Sequence, residues 1–148
     1  MENLIPEQKV LDKRFQQFHS KIKSICNSPK NFKNGFDVQI GHIAWRAAQT
    51  MTDVRNAISN EKIASILIHG RVNEKHCNSS KPLELVVEGR FAELIVVEFN
   101  PIQEKKIKDV SIRVVVREGS PKHIIVTLYP LTSEANVSSI PEVPNEVW

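Results

Sequence analysis

Leu11, Phe15, Phe18, Ile22 and Ile25 recur at steps of four and three, which lays one apolar stripe along an amphipathic helix. The spacing predicts a helix over 6–25. Pro6 suits its first turn, Lys9, Lys13, Lys21 and Lys23 would face solvent, and Asn27-Ser28-Pro29 stops it. Residues 27–37, with Pro29, Asn31, Asn34 and Gly35, read as loop. A second helical stretch begins near Gly41, where Ile43, Ala44, Ala47 and Ala48 fit a short helix. Thr50-Met51-Thr52-Asp53 has the form of a capping box, and Val54, Ala57 and Ile58 give the next short helix its buried side. From there the pattern reads as strands. Ala64 to His69 is rich in β-formers and stops at Gly70, and 73–82 is a polar loop. Leu83 to Glu88 and Phe91 to Phe99 make two strands, or one long strand bent at Gly89. Val110 to Val116 and His123 to Tyr129 follow, joined by a segment of hairpin composition. Short connections favour antiparallel pairing. The expected fold is α+β, with N-terminal helices packed on a four- or five-stranded antiparallel sheet. One domain spans 1–131 (helix 6–25, core 36–131), and 132–148 is a flexible polar tail whose Trp148 stands free in solvent or docks onto the body or a partner.

A chain of 148 residues with 41% apolar and 25% charged side chains can bury a substantial core. No apolar run is long enough to span a bilayer, and Met1-Glu2-Asn3 opens no signal peptide, so a reduced cytosolic setting without a membrane is expected. Cys26 and Cys77 stand far apart with no Cys-x-x-Cys pair, so neither a metal nor a redox cofactor is expected. The net charge of +3 conceals a gradient. Residues 1–35 carry seven Lys/Arg against three Asp/Glu, 36–100 carry seven against eight, and 101–130 carry six against three. Basic flanks around a near-neutral middle suit a polyanion such as RNA, and equally suit a solvated helix face.

The chemistry-bearing candidates lie in two places. His42 and Arg46, in Gly41-His42-Ile43-Ala44-Trp45-Arg46, share one helix face at a step of i, i+4. A group titrating near neutrality is thereby coupled to a permanent cation, a pairing suited to phosphodiester chemistry. Alternation along the last hairpin turns Ile112, Val114 and Val116 one way, and Ser111, Arg113, Val115 and Arg117 the other. On the closing strand, Ile124, Val126 and Leu128 oppose His123, Ile125, Thr127 and Tyr129. If the apolar rows cover the helices, Arg113, Arg117, His123, Thr127 and Tyr129 share an outer face able to hold a phosphate backbone. The outer face of any antiparallel sheet is polar as well, and Thr and Tyr are good strand formers. His69, closing a strand before Gly70, could join the cleft or simply cap that strand. With His76 it lacks a third metal ligand at familiar spacing.

Gly-His-x-x-x-Arg, a threonine-started helix ending Val54-x-x-Ala57-Ile58, and a final Ile125-Val126-Thr127-Leu128-Tyr129-Pro130 together resemble the small ribonuclease toxins of the barnase–EndoU–colicin–RelE superfamily. That superfamily includes contact-dependent inhibition and other polymorphic toxin domains of bacterial competition. The likeness covers roughly residues 40–130. It implies a metal-independent endoribonuclease in which the ribose 2′-hydroxyl attacks the adjacent phosphorus. On that implication His42 is the acid/base group and Arg46 the phosphate clamp. Thr127 and Tyr129 orient the phosphate or pass the second proton. Arg113, Arg117, His123 and His69 contact substrate. Enzymes of the barnase type often use a glutamate as base, and no motif singles out one of Glu84, Glu88, Glu93 and Glu98. The implied partners are RNA and a cognate immunity protein or antitoxin, with action in the cytoplasm of a target cell. The competing expectation from the residues alone is a noncatalytic RNA- or protein-binding α+β module.

Overall fold

A computed structural model describes residues 12–39, 58–99, 102–131 and 139–148, with backbone alone at 96–99 and 129. Its first helix, α1, runs over Lys13–Ile25 and buries Phe15, Phe18 and Ile22, the stripe expected from the spacing. The helix starts later than the pattern suggests. Asp12 has a non-helical backbone, and its carboxylate accepts the Arg14 N–H at 2.8 Å, so it caps the helix.

The segment read as loop forms a two-turn helix and a strand. Ser28-Pro29 both stops α1 and starts α2 (Pro29–Gly35), where Ser28 Oγ accepts the Asn31 N–H at 3.1 Å. Strand β1 (Phe36–Val38) follows directly, with the Phe36 ring 4.8 Å from that of Phe32. The stretch Ala64–His69, expected as a strand, belongs to helix α3 (Asn60–His69), capped by Ser59. A short apolar run does not distinguish a strand from a buried helix. Ile63 to Leu67 are all buried, so burial shows no period either; the i to i−4 bonds of Ile63 N–H to Ser59 O and Gly70 N–H to Ile66 O mark the helix. Gly70 then turns the chain into β2 (Arg71–Val72). A side chain at Gly70 would run into the carbonyls of Ile66 and Glu88, so glycine is what lets α3 approach the sheet this closely.

After a short 3-10 turn, Glu74–His76, the long strands β3 (Glu84–Phe99) and β4 (Ile102–Arg117) pair along their whole length, and β5 (His123–Pro130) closes the sheet. β3 is one strand running through Gly89. The order is β1-β5-β4-β3-β2. The fold is α+β as expected, but the sheet is mixed. β1 enters beside the last strand and runs parallel to β5, pairing Phe36 with His123 and Val38 with Ile125. One face of the sheet presents Leu85, Val87, Phe91, Ile112, Val114 and Val116 to Phe15, Phe18, Ile22, Ile63, Ile66 and Leu67, and this layer is the core.

One irregularity decides the faces of the last strand. Val116 pairs with Ile125 and Val115 with Thr127, so Val126 is an extra, unpaired residue. The bulge reverses the alternation. His123 and Ile125 face the helices, whereas Thr127 lies with Val115 on the opposite face and Leu128 returns to the core beside Val114. The expected common face of His123, Thr127 and Tyr129 is therefore split.

Residues 139–148, expected as part of a flexible polar tail, form a strap instead. Arg90 N–H donates to Pro141 O and Val143 N–H to Arg90 O, extending the β3 edge past the end of β2. Ile140 and Val143 are buried, and Ser65 Oγ donates to Pro144 O. Glu61 accepts the N–H groups of Val147 and Trp148 at 2.8 and 2.9 Å, and burial is outweighed there by these bonds, which hold its carboxyl below the usual range. Trp148 docks back: its Nε1 donates to Cys26 O at 2.9 Å, and its ring meets Phe32 edge-on. Cys26 is sealed beneath it, and burial pushes its thiol up to about 12.

Candidate functional site

The face of the sheet turned away from the core is organised by register. Arg71, Glu88, Arg113 and Tyr129 stand opposite one another across β2, β3, β4 and β5. A second row holds Val86, Val115 and Thr127, and a third Glu84, Arg117 and Ile124.

Glu88 is the centre of the first row and is only 1% exposed. Its Oε2 accepts from Arg113 Nε and Nη2 at 2.9 and 2.7 Å and from Asn73 Nδ2 at 2.9 Å. Its Oε1 accepts from Arg71 Nη2 at 3.2 Å and Nε at 3.4 Å. Burial alone would push this carboxyl up. The hydrogen bonds from Asn73 and Arg113, the Arg113 charge and the Arg71 bond together outweigh it and hold the group below the ordinary glutamate range. A carboxylate so engaged stays charged and acts as an anchor for two guanidiniums rather than as a proton acceptor. Arg113, 14% exposed, is fixed beside the Tyr129 backbone. Arg71 also donates to Ser139 O and Oγ at 3.1 and 2.9 Å, which ties the strap to this row. Ser111, on the same face, is buried, and among the described residues its hydroxyl has no hydrogen-bond partner.

The expected site residues separate as follows. His42 and Arg46 lie outside the described residues. Thr127 is half-buried, one row from Arg113, and Tyr129 stands opposite Arg113 in the backbone register, its side chain not described. Arg117 is on the same face but engaged, donating to Glu84 Oε2 at 2.8 Å. His123 is on the other face, packed edge-on to Phe18 at 5.1 Å between ring centroids and near Phe36, with Nδ1 accepting the Gly119 N–H at 3.1 Å. Burial, helped by Lys21 and opposed by Glu118, lowers its pKa, so the imidazole is neutral at pH 7. His69 is exposed and ends α3 rather than a strand.

Glu88, Arg71 and Asn73 are the residues that sequence reasoning did not assemble. The available signal was a lone carboxylate inside the apolar run Leu85-Val86-Val87-Glu88, which demands partners if buried. Among the described residues no group of three His, Cys, Asp or Glu side chains could hold a metal ion, and no helix is long and apolar enough to cross a membrane. Compared with models of protein families, with curated proteins and with solved structures, the chain matches none of them.

Proposed function

We propose that this chain is a metal-independent endoribonuclease of the toxin type, using the outward face of β4 and β5. The observation that carries the reading is the row built on Glu88. A carboxylate kept charged in a buried position orients Arg113 next to the Tyr129 backbone and one row from Thr127. A preorganised guanidinium of this kind stabilises the extra negative charge of a pentacoordinate phosphorus without reorganising during the reaction. Further support comes from β1. Gln39 N–H donates to Ile125 O at 2.9 Å, two residues before Thr127, and His42 follows Gln39 by three positions in sequence. In the proposed reaction the ribose 2′-hydroxyl loses its proton to a base and attacks phosphorus. The departing 5′-oxygen takes a proton from an acid. His42 is one of these two groups, Arg46 and Arg113 hold the phosphate, and Thr127 and Tyr129 orient it. The partners of this reading are RNA and a cognate immunity protein or antitoxin, and its site of action is the cytoplasm.

Cleavage of total RNA by purified wild type and by His42→Ala tests it. The expected result is cleavage to 2′,3′-cyclic phosphate ends, slowed about a hundredfold or more in the variant. Equal cleavage by both proteins, or none by either, overturns it.

One observation favours a second reading, a noncatalytic RNA- or protein-binding module. Arg113 and Arg117 both rest on carboxylates, and His123 is packed behind Phe18, so the described part of the outer face carries cations without a proton carrier. That reading expects salt-sensitive RNA binding with no turnover.

A further inference from the structure

A cleft of about 340 Å³ opens beside α1, at the end of the sheet where β4 turns into β5. It lies next to the buried His123 and is separate from the Arg113 face. Its walls are Arg14, Gln17 and Lys21 of α1, Ser79 and Lys81 of the loop before β3, and Glu118 of the β4–β5 turn. Phe18 and Leu83 form the floor. The three cations come from two segments about sixty residues apart in sequence that meet only in the fold: Arg14 with Lys21, and Lys81 (81 minus 21 is 60). Arg14 is held in place by a bidentate pair with Asp12 at 2.9 and 3.2 Å, and its Nη1 also reaches Ser79 O at 3.5 Å. Neither Lys21 nor Lys81 takes part in an ion pair among the described residues. The cleft thus holds an excess of positive charge, one carboxylate and an apolar floor.

We propose that this cleft binds a ribonucleotide unit. The phosphate sits among Lys21, Lys81 and Arg14, a ribose hydroxyl donates to the Glu118 carboxylate, and the base covers Phe18 and Leu83. Each part follows from chemistry. Unpaired ammoniums bind a phosphate as point charges, and a carboxylate, which can only accept, selects a hydroxyl donor over a second anion. The volume lies at the lower end of the range for small-ligand sites and suits one nucleotide rather than a longer ligand. The unit can belong to a free nucleotide or to an RNA strand, because both present the same phosphate and ribose.

Binding to the full chain is measured by calorimetry, with AMP, dAMP, adenosine, inorganic phosphate and a short RNA as probes. The short RNA is offered to His42→Ala, so that cleavage cannot consume the probe, and the result is independent of the nuclease reading. AMP is expected to bind in the millimolar range, about −4 kcal/mol. Lys21→Gln combined with Lys81→Gln, both at exposed side chains and with the fold checked by circular dichroism, weakens AMP at least about tenfold. Adenosine and dAMP bind more weakly than AMP. Competition of the short RNA with AMP assigns the unit to an RNA strand, and failure to compete assigns it to a free nucleotide; either outcome supports the cleft. AMP that does not bind at about 10 mM, or that binds the double variant as tightly as wild type, overturns the proposal. So does inorganic phosphate binding as tightly as AMP.

Discussion

Glu84 and Glu88 stand four residues apart on the same face of β3, each directly opposite an arginine of β4, and their environments differ sharply. Glu84 pairs with Arg117 where the side chains are 25% and 40% exposed. Glu88 pairs with Arg113 where they are 1% and 14% exposed, and adds Arg71 and Asn73. What separates them is coverage. β2 and the turn around Asn73 bring Arg71 and Asn73 onto Glu88, and the strap holds Arg71 through Ser139, while Glu84 remains 25% exposed. The same cross-strand pairing is therefore a weak surface contact at one position and an obligatory network at the other.

The largest effect expected is from Glu88→Ala. It removes the buried carboxylate that two guanidiniums and an amide share, and should cost about 3–5 kcal/mol in urea unfolding. A loss below about 1 kcal/mol would erase the contrast with Glu84. Replacing the three charges of the network, with Glu88→Leu, Arg71→Met and Arg113→Met together, should recover most of that loss, since no buried charge is left alone and Asn73 alone loses its acceptor. If that variant folds and has lost RNA cleavage, the guanidiniums serve the substrate as well as the fold.

Acid sharpens the comparison next. Because the folded carboxyl of Glu88 sits below its ordinary value of 4.5, its contribution is complete above that pH and is lost as pH falls through the folded value. His19 and His123 are also lowered from 6.5, His19 by burial against its bond to Leu67 O at 2.7 Å, so their contributions are complete above 6.5 and decline below it. Wild-type stability should thus fall in two stages on acidification, and Glu88→Gln should show a smaller second stage, with Glu61 and Asp12, whose carboxyls are also held low, keeping the remainder. Equal acid sensitivity of the two proteins below pH 4.5 would contradict this. Trp148→Ala loosens the strap that brings Ser139 to Arg71, so a double-mutant cycle should show coupling of roughly half a kcal/mol with Glu88→Gln and none with Glu84→Ala. The smallest effect is Glu84→Ala itself, about 0.2–1 kcal/mol and reduced by salt.

Periodicity made α1, β3, the 110–116 half of β4 and the closing hairpin legible, because Phe15, Phe18 and Ile22, or Ile112, Val114 and Val116, each bury one face; the exposed, charged 102–109, which pairs with β3 as the first half of β4, was not read as strand. It misread Ala64 to His69, where a short, mostly apolar run fits either a strand or a helix until neighbours choose. The strap was hidden because Ile140, Val143 and Trp148 are spaced for an edge strand and a docking indole, not for a period. The outer face was half legible. Arg113, Arg117 and Thr127 share it as alternation requires, but nothing in the local pattern announces that Val126 bulges, and that one residue sends His123 to the interior. Nor does spacing disclose that Arg71 and Asn73 will meet Glu88, because that contact depends on how α3 delivers β2 to the sheet edge.

The parallel pairing of β1 with β5 has a consequence for the order in which the molecule assembles. β3 and β4 form one continuous hairpin whose closest pair, Phe99 with Ile102, is three residues apart, whereas Phe36 meets His123 across eighty-seven (123 minus 36). Closing the longer loop has the higher entropic cost and is rewarded only once β5 is already in place. The hairpin is thus the natural starting point for folding and β1 the last strand to join. Amide hydrogen exchange should accordingly find the β1 amides opening well before those at the centre of β3 and β4.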